Sequence, residues 1–150
     1  MQDKVVLITG GAGGIGQATA KLFLDQGAKV VLVDINESSL KKAMQSLTSS
    51  QENIAIIEAD VTNEADVKNY VQETVNHFGR IDVFFNNAGI NGPVAEITEL
   101  EQDAFEQIMS INVTGVFLGL KHVLAQMKNR EMDGLLIQHQ MLHTLVLQGW

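Results

Sequence analysis

Cysteine is absent from the 150-residue sequence, which excludes disulfides, thiolate catalysis and cysteine-ligated metals. Basic residues are scarce: 10 Lys and Arg stand against 18 Asp and Glu, for a net charge of −8, and they form no cluster. That balance argues against nucleic acid or an anionic membrane as partners. It does not exclude an anionic cofactor, because a helix N-terminus supplies positive potential locally. No uninterrupted apolar run approaches the roughly 18 residues of a membrane span. Met1-Gln2-Asp3-Lys4 leads straight into a strand pattern without signal-peptide or transit-peptide character, so the expected location is the cytoplasm. No repeat, low-complexity tract or linker interrupts the chain. What is present is 45% hydrophobic and 19% charged, the balance of one globular domain by length.

The most informative stretch is Thr9-Gly10-Gly11-Ala12-Gly13-Gly14-Ile15-Gly16, directly after the apolar run Val5-Val6-Leu7-Ile8 and before a helical pattern. Glycine lets bare backbone approach a phosphate and tolerates the positive φ of a tight turn. The N–H groups and dipole of the following helix then point at the anion. Asp34 lies eighteen residues past Gly16, at the end of the next apolar run, where a carboxylate can accept both ribose hydroxyls of a dinucleotide. Strand, glycine loop, helix and acid in this order point to dinucleotide binding; the alternative is a tight turn that touches no ligand.

Apolar strand-like runs alternate with helical patterns, which predicts an α/β domain with a doubly wound parallel sheet in three layers. Strands are expected at Lys4–Thr9, Lys29–Val33, Ile54–Ile57 and Ile81–Phe85, with the start of a fifth at Leu135–Ile137. Helices are expected over about 14–26, stopped by Gly27; over 37–47, capped by Asn36; and from a cap at Thr62 or Asn63 to Phe78, stopped by Gly79. A long helical stretch over about 101–130 is interrupted by Gly115 and Gly119, where a bend is expected.

With the glycine loop, Asp34, Asp60-Val61, Asn86-Asn87-Ala88-Gly89 and Asn112 in order, the chain resembles the short-chain dehydrogenase/reductase family over about residues 1–137. The resemblance implies a Rossmann-type sheet of strand order 3-2-1-4-5. The loop also fits Gly-x-Gly-x-x-Gly at Gly11, Gly13 and Gly16, but the family spacing at Gly10, Gly14 and Gly16 is preferred because the strand ends at Thr9. By resemblance, the loop residues Gly10, Gly11, Gly13, Gly14, Ile15 and Gly16 wrap the pyrophosphate. Asp34, with Ile35 beside it, binds the adenosine ribose and selects NAD. Without Arg or Lys in the loop or just after Asp34, NADP is the weaker choice. Asp60 and Val61 line the adenine pocket, Asn86, Ala88 and Gly89 pass close to the cofactor, and Asn87 helps hold the central sheet. Plainer roles stand beside these: Asp34 as a helix cap, Asp60 as a strand end, and Asn86 and Asn87 as turn residues.

The resemblance breaks at the catalytic residues. Family members use a Tyr with a Lys four residues later, an upstream Ser, and an Asn on the long helix; of these only Asn112 is here, with an implied role in holding a water of a proton relay. The single tyrosine, Tyr70, is followed four residues on by Thr74, and no serine follows Ser110. Tyr70 is therefore expected to pack rather than react. Residues 138–150 are read as a divergent tail beyond a 1–137 Rossmann half-domain, with an early stop or change of frame as the expected origin. His139 and His143 have i, i+4 spacing, but without a third ligand no metal is expected. The segment Val113–Met127 is apolar on much of its circumference. Self-association, or association with a complete relative, is therefore expected through the helix near 101–130, and substrate turnover only with the family's missing half.

Overall fold

The structure, a computed structural model, describes residues 1–47, 51–128 and 135–138. Five parallel strands stand in the order β3-β2-β1-β4-β5: β1 Val5–Thr9, β2 Lys29–Asp34, β3 Ile54–Glu58, β4 Val83–Asn86 and β5 Leu135–Gln138. Between them run α1 Gly14–Asp25, α2 Glu37–Leu47, α3 Glu64–Phe78, α4 Gln102–Met109 and α5 Val116–Met127, with a π-turn, Ser110–Gly115, joining the last two. Parallel strands need crossovers of this length. They bring the ends of β1, β2, β3 and β4 out on one edge, where a doubly wound sheet binds its ligand.

The near-continuous apolar runs follow from burial on both faces. Val6, Ile8, Val30, Leu32, Val83 and Phe85 pack with Ala20 of α1 and with Leu40 and Ala43 of α2. Their neighbours Leu7, Val31, Val33 and Phe84 pack on the other face with Val67 and Tyr70 of α3 and Leu118 and Val123 of α5. Helix ends follow local chemistry: Asn36 Oδ1 accepts from the Ser39 N–H at 2.9 Å, and Asn63, not Thr62, caps α3 by accepting from the Ala65 N–H at 2.9 Å. Gly79 closes α3 at φ +81°.

β1, β2 and β3 each differ from the sequence reading by one residue at one end, and three further elements differ as well. β4 begins at Val83 rather than Ile81 because Asp82 turns its side chain back to the sheet, accepting the Val5 N–H at 2.8 Å. The long helix is broken by an i→i+5 turn instead of a simple bend at glycine, and its last helical residue is Met127. The fifth strand reaches Gln138, in register with Asn86, so the strand includes the first residue of the expected tail. The rest of that tail, with His139 and His143, lies outside the described residues.

The helical stretch Gln102–Met127 is long and apolar enough, by length and composition, to cross a membrane, although it contains no uninterrupted apolar run of that length. Here it is a packed helix of the fold: Ile108, Val116, Leu118 and Val123 are buried.

Candidate functional site

The glycine loop leaves β1 through Gly10, at φ +63°, where a Cβ would lie 2.9 Å from Asn87 Nδ2 and 3.0 Å from Ala88 Cα. At Gly11 a Cβ would meet Leu32, and at Gly16 it would lie 2.4 Å from the Gly10 carbonyl oxygen. These three glycines are demanded by the protein's own packing. Gly14 is not: none of the described residues lies within 4 Å of an added Cβ, so among them its bare backbone faces open space. α1 starts there with no side-chain cap and no acid in its first turn, leaving N–H groups and dipole for an anion. This uncapped, side-chain-free junction fits a pyrophosphate. Ile15 beside it is exposed.

Asp34 ends β2 next to this loop. Its Oδ2 accepts the Ala12 N–H at 3.1 Å and its Oδ1 the Asn36 N–H at 3.4 Å. The cap of α2 is Asn36, so Asp34 braces the glycine loop and keeps lone pairs for a diol. Ile35 is exposed beside it. The β3–α3 connection lies against the same strand end through Ala59 N–H to the Asp34 carbonyl, 3.0 Å. Within it Asp60 Oδ1 accepts from both the N–H and the hydroxyl of Thr62 at 2.8 Å, a tight turn that presents Val61.

At the end of β4 the two asparagines divide the work. Asn87 Nδ2 donates to the Thr9 carbonyl at 3.1 Å and reaches the Gly10 carbonyl at 3.4 Å, tying the β4 end to the glycine loop. The buried Asn86 side chain turns inward instead, donating to the Val116 carbonyl at 3.0 Å. Thr9 was not singled out in the sequence, yet it is the hub: its hydroxyl accepts the Asn87 and Ala88 N–H groups at 3.0 and 3.1 Å and donates to Asn86 Oδ1 at 3.4 Å. A threonine at the last strand position before a glycine loop was the available signal.

Asn112 sits in the π-turn, a feature frequent at functional sites. Its amide brackets one residue: Oδ1 accepts the Ile90 N–H at 2.9 Å and Nδ2 donates to the Ile90 carbonyl at 2.8 Å. Gly89 leaves room for this, since a Cβ there would lie 3.2 Å from Asn112 Oδ1. Asn112 thus holds the segment that passes from Asn86 through Ala88 and Gly89. Tyr70 is fully buried in the α3 face of the core; burial pushes its phenol well above the ordinary range. Among the described residues no group of three or more His, Cys, Asp or Glu could hold a metal.

A parallel sheet of this order, with a glycine loop after β1 and an acid at the end of β2, defines a Rossmann-type dinucleotide-binding domain. The family model for short chain dehydrogenase matches residues 4–140. Secoisolariciresinol dehydrogenase of Forsythia intermedia is 46% identical over 123 residues, covering 81% of this chain and 44% of that protein. Levodione reductase of Leifsonia aquatica is 45% identical over 130 residues, covering 85% of this chain and 49% of that protein. Among solved structures, levodione reductase superposes with a TM-score of 0.87 at 41% identity, over 92% of this chain and 54% of the other. NAD+-bound xylitol dehydrogenase gives 0.84 at 37%, over 91% and 52%. The chain belongs to the short-chain dehydrogenase family, and it spans about half the length of the curated relatives it matches.

Proposed function

We propose that this chain binds NAD through the glycine loop and Asp34, as the cofactor-binding half of an oxidoreductase exchanging hydride between NAD(H) and an alcohol or ketone. The observation that carries the reading is the Asp34 carboxylate at the end of β2, braced on Ala12 N–H at 3.1 Å. A carboxylate there accepts ribose hydroxyls and repels a 2′-phosphate, so NADP is disfavoured. Gly10, Gly11, Gly13, Gly14, Ile15 and Gly16 hold the pyrophosphate, Asp34 and Ile35 the adenosine ribose, and Asp60 and Val61 the adenine. Asn86, Ala88 and Gly89 follow the cofactor toward its nicotinamide end, Asn86 through its backbone because its side chain is spent on Val116. Bound NAD would supply the hydride acceptor. Asn112 is the catalytic candidate, and since its amide is committed to Ile90, holding a relay water falls to the main chain of the π-turn.

These 150 residues contain one tyrosine, Tyr70, buried in the core, so little turnover is expected from this chain alone; loss of general acid–base help costs about 10²–10⁴ in rate. The test is the melting temperature with saturating NAD and with NADP. A ligand at a hundred times its Kd adds about 2.7 kcal/mol. A rise of several degrees with NAD but not NADP supports the reading; no shift with either overturns it.

The exposed apolar side chains Val113, Phe117 and Leu124 on one side of the π-turn and α5 favour a second reading, a non-catalytic subunit that docks on a full-length homologue in the cytoplasm. Co-purification with such a homologue, lost in Phe117→Glu, distinguishes it.

A further inference from the structure

We infer that the π-turn sets the spacing between the two ends of the cofactor site, with Gly115 the positioning residue for the adenosine end; the inference rests on the NAD-binding reading above. Gly115 has ordinary helical angles, φ −60° and ψ −42°, so no backbone requirement calls for glycine. Glycine in a helix is even disfavoured relative to alanine. What excludes a side chain is the neighbour. An added Cβ would lie 2.9 Å from Val61 Cγ2 and 3.3 Å from both the Val61 Cβ and its carbonyl oxygen. The helix backbone thus backs directly onto the connection that leads from Asp34's neighbour Ala59 to the first residue of α3.

A second, independent tie fastens the same connection to the same helix. Glu64, the first residue of α3, accepts from Lys121 Nζ and meets His122 Nε2, each at 2.8 Å. Three residues before Gly115, Asn112 brackets the Ile90 backbone at the opposite end of the site. One six-residue turn therefore touches both walls, Val61 through a missing Cβ and Ile90 through an amide. A methyl at position 115 pushes Val61 away from the turn and leaves the glycine loop and Asp34 untouched.

The experiment is calorimetric titration of the full chain with NAD and with 5′-AMP, for the parent, Gly115→Ala, Val61→Ala and the double variant, each checked for cooperative melting. Gly115→Ala is expected to weaken both ligands about tenfold, the scale of an extra methyl in a packed site. In the Val61→Ala background, where the methyl has room, the same change is expected to cost less than about threefold. An equal loss in both backgrounds, or unchanged affinity in Gly115→Ala, overturns the inference while leaving NAD binding intact. A parent chain that binds neither ligand overturns both. Should Gly115→Ala not fold, Glu64→Gln decides. It disturbs no interior packing and is expected to weaken 5′-AMP about twofold to threefold, as an exposed pair allows; unchanged affinity overturns the inference.

Discussion

The two faces of the sheet are made from the same alternating strands, yet they hold different things. On one face Val6, Ile8, Val30 and Leu32 meet α1 and α2 in a cluster of buried apolar side chains. On the other, Leu7, Val31, Val33 and Phe84 meet α3 and α5. There the core also admits Tyr70, whose hydroxyl has no hydrogen-bond partner among the described residues, and Asn86, tied to α5. The first face supplies apolar burial, and with it α1, whose uncapped N-terminus closes the glycine loop. The second carries the polar links that register the π-turn against the glycine loop: Thr9 to Asn86, Asn86 to Val116, Asn112 to Ile90. The long-range polar links between the parts of the site are thus carried mainly by one face of the sheet.

The comparison breaks most visibly in the apolar face. Leu40→Ala, at a fully buried position of α2, is expected to cost about 2–5 kcal/mol in denaturant unfolding, while folded molecules keep their preference for NAD over NADP. On the polar face, Asn86→Ala removes the bond to the Val116 carbonyl and the acceptor of the Thr9 hydroxyl proton; a loss of about 1–3 kcal/mol is expected. Here, unlike Leu40→Ala, the NAD-induced rise in Tm should shrink as well. At the edge between the faces, Asp34→Asn removes the charge that repels a 2′-phosphate. Titration with both cofactors should show the NAD/NADP affinity ratio falling about tenfold, or 1.4 kcal/mol.

Smaller effects sharpen the contrast. Tyr70→Phe deletes a buried hydroxyl that has no partner among the described residues, so unfolding should show a change within about 0.5 kcal/mol or a gain of up to about 1 kcal/mol. The smallest effect concerns Glu64, whose carboxyl is drawn from 4.5 down to about 2 by the hydrogen bond from Lys121 and then that from His122. The folded state binds this proton less readily than the unfolded state. The contribution is therefore complete above pH 4.5 and lost as pH falls toward 2. Parent and Glu64→Gln stabilities should differ slightly at pH 5–7 and converge toward pH 2, and added salt should shrink the gap.

Much of the architecture was legible from local signals. Asn36, Asn63 and Gly79 cap and close helices in the way their side chains and φ preferences dictate, so the helix bounds were readable to within a residue or two. β4 was misread at its start because Ile81 continues the apolar pattern. The Asp82 carboxylate, a long-range partner of Val5, occupies the place of the ladder. The π-turn was invisible for the same kind of reason: Gly115 and Gly119 mark close approaches, to Val61 and to Phe84 and Asn86, and close approach is a property of neighbours rather than of the residue.

The sequence by itself determined the order of strands and helices, the glycine loop and the acid at the end of β2. Periodicity, capping and backbone permissiveness act over a few residues and are written locally. Only the tertiary structure decided which glycines serve packing and which leave open backbone, that Asn86 turns inward while Asn87 ties to the glycine loop, and that Asn112 grips Ile90. Each of those depends on atoms far apart in the chain, as in the Thr9 hydroxyl that accepts the Asn87 and Ala88 N–H groups, and buried polar groups take the partners that folding brings to them.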